Sequence, residues 1–201
     1  MRQIILASSS PRRKALLENI GLEFKVDTSN TPEHLHKDLE PHHLARLLSL
    51  EKAQAVAERH GDAIVIAADT LGVLEGQVIG KPTSDDEACR ILKRMSGKDH
   101  LVITGFTIID TRNKKTITRS IETKVWFRRL SDEEIRAYVT SGEPMDKAGA
   151  YAIQGLGSLF VDKIEGDYYN VIGLPLSALA ESLKDFGVEM LLTAALRHKK
   201  G

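Results

Sequence analysis

The sequence lacks several features that define whole classes of protein. Its 201 residues contain one cysteine, Cys89, so no intramolecular disulfide can form, and we expect a reducing, cytoplasmic environment. No apolar run approaches the roughly 20 residues that a membrane-spanning helix needs. The first apolar run, residues 4–7, is too short for the core of a signal peptide. We therefore expect a cytoplasmic protein without a membrane partner.

The sequence also lacks an excess of charge of either sign. Its 28 lysines and arginines balance 28 aspartates and glutamates, which gives a formal net charge of +0 at pH 7. A neutral protein has no overall field that attracts a nucleic acid or an anionic lipid surface. We therefore expect no nucleic-acid partner, and any site for an anion has to be local.

The sequence does contain enough apolar residues for a packed interior. Hydrophobic residues make up 42% of the chain, which excludes a disordered protein. Helix-like and strand-like patterns alternate without an internal repeat or a low-complexity linker. They predict a single α/β or α+β domain over residues 1–201, with helices flanking a mixed, twisted sheet that bends into two lobes. A cleft between such lobes is the default position for a ligand.

Apolar periodicity, capping residues and glycine stops assign the individual elements. Strands are predicted at residues 3–7, 23–28, 63–68, 71–74, 77–79, 101–110, 116–127 and 157–164. Glu75-Gly76, between two of these strands, indicates a hairpin. Helices are predicted at residues 41–60 and 175–186, and after Ser10, "SDDE" (84–87) and "SDEE" (131–134). The last two segments have the form of capping boxes.

The stretch "LASSSPRRKALLENIG" (6–21) combines a strand end, a polar turn and a helix start. The first amides of a helix are unpaired and the helix dipole is positive there, so this end of a helix favours an anion. Arg12 and Arg13 add planar guanidinium groups that match phosphate oxygens. Two interpretations remain open: a phosphate-binding turn, or a capped helix with two solvated arginines.

The stretch "AIVIAADT" (63–70) has the continuous apolar pattern of a buried strand followed by Asp69. Ligands of open α/β sheets bind beyond the carboxyl ends of the strands. An aspartate at that edge can hold Mg²⁺ or orient a water molecule. The alternative is an aspartate that caps a turn, and the neighbouring Thr70 has the same alternative.

Three charged residues elsewhere are candidates for the same site. Lys52 lies beside the apolar stripe of its predicted helix, where it is either a snorkelling lysine or a ligand-binding one. Lys81 lies in the rigid turn "IGKP", and Glu33 lies in the polar loop at residues 29–41. Glu33 is a candidate metal ligand, and the alternative for both of these residues is an ordinary solvated side chain.

The segment "GEPMDKAGAYAIQGLGSLFV" (142–161) is unusual because glycines and a proline interrupt apolar residues. Glycines allow a backbone to approach a ligand closely. Lys147 and Gln154 are the conspicuous polar residues. The apolar content argues against a purely solvated loop.

Five motifs together identify a resemblance to a known family. They are "LASSSPRRKALLENIG", "IAADTLGVLEGQVIGKP", "MSGKDHLVITGF", "GEPMDKAGAYAIQGLGSLFV" and "IEGDYYNVIGLPL". Because these motifs occur in this order along the chain, the chain resembles the Maf proteins, nucleoside triphosphate pyrophosphatases once associated with septum formation. The resemblance implies an α/β fold of the Maf/ITPase type with two lobes around a nucleotide-binding cleft. It also implies a divalent cation, Mg²⁺ or Mn²⁺, and a homodimer.

The resemblance also implies roles for individual residues. Asp69 would be the catalytic carboxylate and a metal ligand. Arg12, Thr70 and Gln154 would correspond to positions at which the family tunes its choice of substrate. The rest of the phosphate and metal site would be formed by Ser8, Arg13, Glu33, Lys52 and Lys81. The loop departs from the family in having one acidic residue after Pro32, where members often have two.

The form "YAIQGLG" around Gln154 is similar to the pyrimidine-preferring branch of the family, which acts on dTTP and UTP. A glutamine amide offers one acceptor and one donor, which match the N3–H and O4 of uracil or thymine. The same chemistry on a modified guanine nucleotide such as 7-methyl-GTP is an alternative. A non-catalytic, nucleotide-binding regulator of cell division is a second alternative.

Overall fold

The computed structural model of the protein describes residues 2–28, 39–192 and 195. Within those residues the chain forms seven strands and six α-helices. The strands are β1 (Gln3–Leu6), β2 (Lys25–Val26), β3 (Ala63–Leu74), β4 (Gln77–Ile79), β5 (Asp99–Asp110), β6 (Thr116–Phe127) and β7 (Val161–Glu165). The helices are α1 (Pro11–Asn19), α2 (Pro41–Ala57), α3 (Asp85–Met95), α4 (Asp132–Thr140), α5 (Tyr168–Ile172) and α6 (Leu176–Lys184). None of these helices is both long and apolar enough to cross a bilayer.

The strands form one mixed sheet, as the sequence predicts. Its order is β2-β1-β3-β5-β6-β7, and β4 pairs with β3 outside this path. β1 runs parallel to both β2 and β3, whereas the pairs β3–β4 and β6–β7 are antiparallel. Helices connect the parallel strands because such strands need a crossover. The predicted α/β class with a mixed sheet is therefore confirmed.

The chain divides into two compact units. The first consists of the described parts of Met1–Asp69, Thr104–Ile121 and Gly173–Gly201, and the second of Thr70–Ile103 and Glu122–Ile172. Two units agree with the predicted lobes, whereas the cleft and the single domain over residues 1–201 stay predictions.

The core of the first unit is built where α2 packs on β1 and β3. Ala53 and Val56 of α2 are fully buried against Ile5, Ala7 and Val65 of the strands and their continuations. Small side chains on the helix allow its backbone to come close to the sheet.

The backbones of α2 and the sheet also approach each other closely at Gly105 of β5. A Cβ atom at this position would be 2.1 Å from the carbonyl oxygen of Ala45 in α2. No side chain fits at that distance, so the second glycine of the "MSGKDHLVITGF" motif has a packing role.

We expect Gly105→Ala to destabilise the protein because α2 would have to move away from the sheet. Overpacking of this kind costs about 1–3 kcal/mol or more, which lowers the Tm of a protein of this size by about 5 °C or more. Gly61→Ala is the matched control, since a Cβ atom there meets nothing within 4 Å. Equal melting temperatures for the two variants in thermal denaturation would contradict this packing role.

Local signals predicted most element boundaries. The turn Glu75-Gly76 joins β3 to β4, and both residues have positive φ (53° and 76°), as a type I′ hairpin requires. Ser131 and Glu134 form a complete capping box at α4. The box at Ser84 is incomplete, because the Glu87 carboxylate accepts hydrogen bonds from Thr83 instead of from the amide of Ser84.

Several predicted boundaries are wrong. The strand expected at residues 23–28 is only Lys25–Val26, because it pairs with β1 and that ladder ends at Leu6. The helix expected to reach His60 ends at Ala57. The strand expected at residues 157–164 is a 3-10 helix, Leu156–Phe160, followed by β7. Its first amides bond to a side chain rather than to a neighbouring strand.

Candidate active site

The turn between β1 and α1 is held by its own hydroxyl groups. Ser10 is the N-cap of α1, and its side chain accepts a hydrogen bond from the Arg13 amide (3.4 Å). The Ser8 hydroxyl, in a residue that is 8% exposed, accepts from the Ser10 amide (3.3 Å) and from Nη1 of Arg13 (3.0 Å). The helix start is therefore confirmed, and Ser8 contacts the Arg13 side chain rather than solvent.

Arg13 is fixed at a second point by a distant part of the chain. Its Nε donates to the carbonyl oxygen of Gly173 (2.8 Å). A guanidinium held at two nitrogens has lost most of its rotamer freedom before it meets a ligand. Sequence reasoning missed Gly173, because nothing in the motif "IEGDYYNVIGLPL" indicates that a backbone carbonyl orients an arginine. Arg12 precedes Arg13 in the first turn of α1 and is partly buried.

Asp69 lies beyond the carboxyl end of the parallel pair β1–β3. The last pair in this register is Leu6 with Ile66, and the Ala7 amide still donates to the Ile66 carbonyl (2.7 Å). Ser8 lies two residues beyond the end of β1, and Asp69 lies three residues after Ile66 within β3, at the edge where ligands of α/β sheets bind.

The prediction that this strand ends just before Asp69 is wrong. β3 continues through Asp69 to Leu74, because β5 remains its neighbour in the sheet after β1 has ended. Asp69 is therefore supported by a strand backbone rather than by a loop.

Lys52 of α2 forms an ion pair with Asp69. The two side chains are 16% and 11% exposed, so the pair is largely shielded from solvent. Ala53, the next residue of α2, is in the core against β1 and β3, and this packing directs the adjacent Lys52 to the strand. The out-of-pattern lysine is thus explained by a specific carboxylate partner. The first unit brings together a carboxylate and a lysine, and it also holds a fixed arginine at the β1 turn.

The remaining predicted substrate-binding residues belong to the second unit. Thr70 follows Asp69 in β3 and is partly buried, whereas Lys81 and Gln154 are exposed. Lys81 lies in the connection between β4 and α3, next to Gly80, whose carbonyl accepts from the Gly149 amide (3.2 Å). The Lys81 connection is therefore attached to the segment that also contains Gln154.

That segment, residues 142–161, rests on a cluster of aromatic rings. Tyr151 packs edge-to-face against His100 and Phe127, with ring centroids 5.3 and 4.7 Å away. The Tyr151 hydroxyl is 2.8 Å from Nε2 of His100. Burial lowers the pKa of His100 to about 4 and raises the pKa of Tyr151, so both are neutral at pH 7. The apolar loop predicted from the sequence is thus an ordered support.

The residues present are compatible with a divalent cation. Mg²⁺ and Mn²⁺ prefer carboxylate oxygens and commonly use one or two carboxylates together with substrate phosphates. Asp69 offers such a carboxylate. Glu33, the second predicted ligand, lies outside the described residues. In the ranges that the structure covers, no three His, Cys, Asp or Glu side chains are grouped around a common point.

Comparison with known proteins gives consistent matches along the chain. The model of the Maf-like protein family matches residues 3–186. A dTTP/UTP pyrophosphatase from Dictyoglomus turgidum is 49% identical over 191 residues, which cover 94% of this chain and 99% of that protein. A dTTP/UTP pyrophosphatase from Thermoanaerobacter sp. (strain X514) is 50% identical, with 94% and 100% covered.

Among solved structures, a HAM1 protein from Coxiella burnetii is similar with a TM-score of 0.47 and 17% identity. The match covers 65% of this chain and 75% of that one. A likeness of this size does not bear on the activity.

Proposed function

Because the chain belongs to the Maf-like protein family, we propose that it hydrolyses nucleoside triphosphates, dTTP and UTP above others, to the monophosphate and pyrophosphate. It is a nucleoside triphosphate pyrophosphatase. Relatives with this printed name are about half identical to it over nearly their whole length. This agrees with the function and the enzyme class expected from the sequence.

The observation that supports this chemistry best is the shielded pair Lys52–Asp69 at the carboxyl end of the parallel strands. A carboxylate alone would repel a triphosphate. Lys52 neutralises Asp69 before substrate arrives, and Arg13 adds a positive group whose orientation is already fixed. A site of this composition can bind phosphates and still keep a base for water.

In the proposed mechanism, a water molecule attacks the α-phosphorus and pyrophosphate leaves. Asp69 orients this water and accepts its proton. Arg12, Arg13 and Lys52 bind phosphate oxygens, and the charge-assisted hydrogen bonds stabilise the charge that develops in the transition state. Asp69, with Glu33, would hold a divalent cation, and when bound that cation neutralises phosphate charge and polarises the α-phosphoryl group.

The family resemblance assigns recognition of the base to Gln154 and further contacts with the nucleotide to Thr70 and Lys81. The amide of Gln154 pairs with N3–H and O4 of a pyrimidine. A homodimer, a cytoplasmic location and a connection with septum formation stay predictions from the family resemblance.

The proposal is tested by supplying purified protein with dTTP, UTP, CTP, ATP, GTP and 7-methyl-GTP, each with Mg²⁺ or Mn²⁺. We expect dTTP and UTP to be converted fastest, with equal amounts of monophosphate and pyrophosphate. Faster cleavage of 7-methyl-GTP would favour the modified-guanine alternative. Nucleotide binding without turnover would favour the second alternative, a non-catalytic, nucleotide-binding regulator of cell division.

We expect Lys81→Ala to lower kcat/KM for dTTP by about tenfold to a hundredfold, since one charge-assisted contact is lost. Lys81 is exposed, so its removal should leave the Tm unchanged. Lys93→Ala is the control: Lys93 is an exposed lysine of α3 whose surface ion pair with Asp132 is worth little. If Lys81→Ala had the same kinetics as Lys93→Ala, Lys81 would not be a substrate-binding residue.

A further inference from the structure

The loop that contains Gln154 is held on both sides by two side chains, Tyr138 and Glu143. On the N-terminal side, the Ala152 amide donates to the Tyr138 hydroxyl (3.2 Å). On the C-terminal side, the Leu156 and Gly157 amides donate to Oε2 and Oε1 of Glu143, each at 3.0 Å. Gln154 lies midway between these attachments, with its own side chain exposed.

Tyr138 also connects the two attachments to each other. Its hydroxyl donates to Oε1 of Glu143 (3.0 Å) while it accepts from Ala152. Burial raises the pKa of Tyr138, so the phenol stays protonated and keeps this donor at any pH near neutrality. One hydroxyl and one carboxylate thus form a continuous bridge from residue 152 to residues 156 and 157.

The loop fits this carboxylate closely. Gly155 has φ +83° and ψ −149°, a combination that is essentially restricted to glycine. A Cβ atom on Gly155 would lie 2.7 Å from Oε2 of Glu143. A Cβ atom on Gly157 would lie 2.3 Å from the Ala152 carbonyl oxygen. The two glycines of "YAIQGLG" therefore allow the loop to close around Glu143.

The two bridging residues are themselves fixed. Tyr138 is in α4, which starts with the complete capping box, and its ring packs on Phe160 with centroids 4.8 Å apart. The Glu143 amide donates to the Ser141 hydroxyl (3.3 Å), and Nζ of Lys147 donates to the Glu143 carbonyl (3.3 Å). The bridge is therefore part of a rigid frame rather than a contact between two mobile groups.

We infer that Glu143, oriented by Tyr138, is a positioning residue that fixes Gln154 for recognition of the base, and that this pair determines selectivity for pyrimidine nucleotides. The inference rests on the proposed function. An exposed glutamine on a mobile loop would lose conformational entropy on each binding event and would adapt to other bases. A glutamine with both flanks held presents its donor and acceptor in one arrangement, which rejects a base that leaves them unpaired.

The test compares Glu143→Gln, Glu143→Ala and Tyr138→Phe with wild type on dTTP, UTP, ATP and GTP. The two amides contact different oxygens of Glu143, and in Glu143→Gln an NH₂ group that cannot accept replaces one of these oxygens, so one amide contact is lost. Tyr138→Phe removes the hydroxyl and little else. Glu133→Gln, at an exposed position in the first turn of α4, is the matched control.

We expect the ratio of kcat/KM for dTTP over GTP to fall by about tenfold to a hundredfold in the Glu143 variants. We expect a smaller fall for Tyr138→Phe and none for Glu133→Gln. For dTTP, the Glu143 variants should raise KM more than they lower kcat, because the residues that activate water are unchanged. In a double variant with Gln154→Ala, the Glu143 effect on selectivity should disappear, since both changes act through one side chain.

Hydrogen exchange of the Leu156 and Gly157 amides in nucleotide-free protein reports on the bridge without turnover, and exchange should be faster in Glu143→Ala. Faster exchange with unchanged selectivity would show that Glu143 only caps the 3-10 helix, which overturns the inference but not the proposed function. Additive effects in the double variant would overturn it too. A wild-type protein that does not cleave dTTP or UTP would overturn the proposed function and, with it, this inference.

Discussion

Asp69→Asn should remove nearly all hydrolysis of dTTP, by about a thousandfold or more, while the protein stays folded. The amide keeps the size of the side chain but loses the negative charge that accepts a proton and holds a cation. Lys52, now without its carboxylate partner, would also add positive charge next to the phosphates. We therefore expect substrate binding to persist while turnover is lost, as measured by pyrophosphate release and by titration with dTTP.

The control for this variant is Asp62→Asn, an exposed aspartate of the same unit that pairs with Arg2. It should keep wild-type rates. The double variant Lys52→Met/Asp69→Asn removes both members of the ion pair, so its Tm, compared with that of Asp69→Asn, shows whether an unpaired lysine destabilises the fold. A folded Asp69→Asn protein with near wild-type rates in the presence of Mg²⁺ or Mn²⁺ would show that Asp69 takes no part in catalysis.

Gln154→Glu should weaken the preference for dTTP and UTP over ATP and GTP. A carboxylate cannot donate to O4 of the base, so the favoured pairing is lost and two acceptors face each other. A site that forms hydrogen bonds with the polar edge of its substrate rejects a base that leaves those groups unpaired, and we expect the ratio of kcat/KM values to fall by about a hundredfold or more. The side chain is exposed, so the Tm should not change.

The companion variant Gln154→Ala distinguishes the loss of contacts from the introduction of charge. It should lower pyrimidine turnover without adding repulsion. Equal wild-type rates on purine and pyrimidine triphosphates would contradict the reading role of Gln154 and indicate a general pyrophosphatase.

Much of the local structure follows from short-range patterns in the sequence. Ser10 and Pro11 predict the start of α1, Glu75-Gly76 predicts the hairpin, and Ser131 predicts the capping box, and all three are confirmed. Each of these features is determined by residues that lie within four positions of one another. The mixed sheet follows from the alternation of such elements.

The contacts that organise the candidate site join residues that are far apart in the sequence. Arg13 is anchored by a carbonyl 160 positions away, and a hydroxyl of α4 orients the loop at Gln154. A lysine on an apolar stripe is usually a snorkelling residue, so the pairing of Lys52 with Asp69 depends on where α2 packs. Likewise, no local signal shows that Glu143 accepts hydrogen bonds from the amides of residues 156 and 157. These amides begin a 3-10 helix where a strand was expected.

Isotope labelling tests directly which phosphorus atom the water attacks. Hydrolysis of dTTP in H₂¹⁸O should place the label in the dTMP produced and leave the pyrophosphate unlabelled, as read by mass spectrometry. This result is expected because the attacking oxygen stays on the phosphorus that it attacks. Label in the pyrophosphate, or release of dTDP and labelled phosphate, would contradict attack at the α-phosphorus and the proposed function of this site.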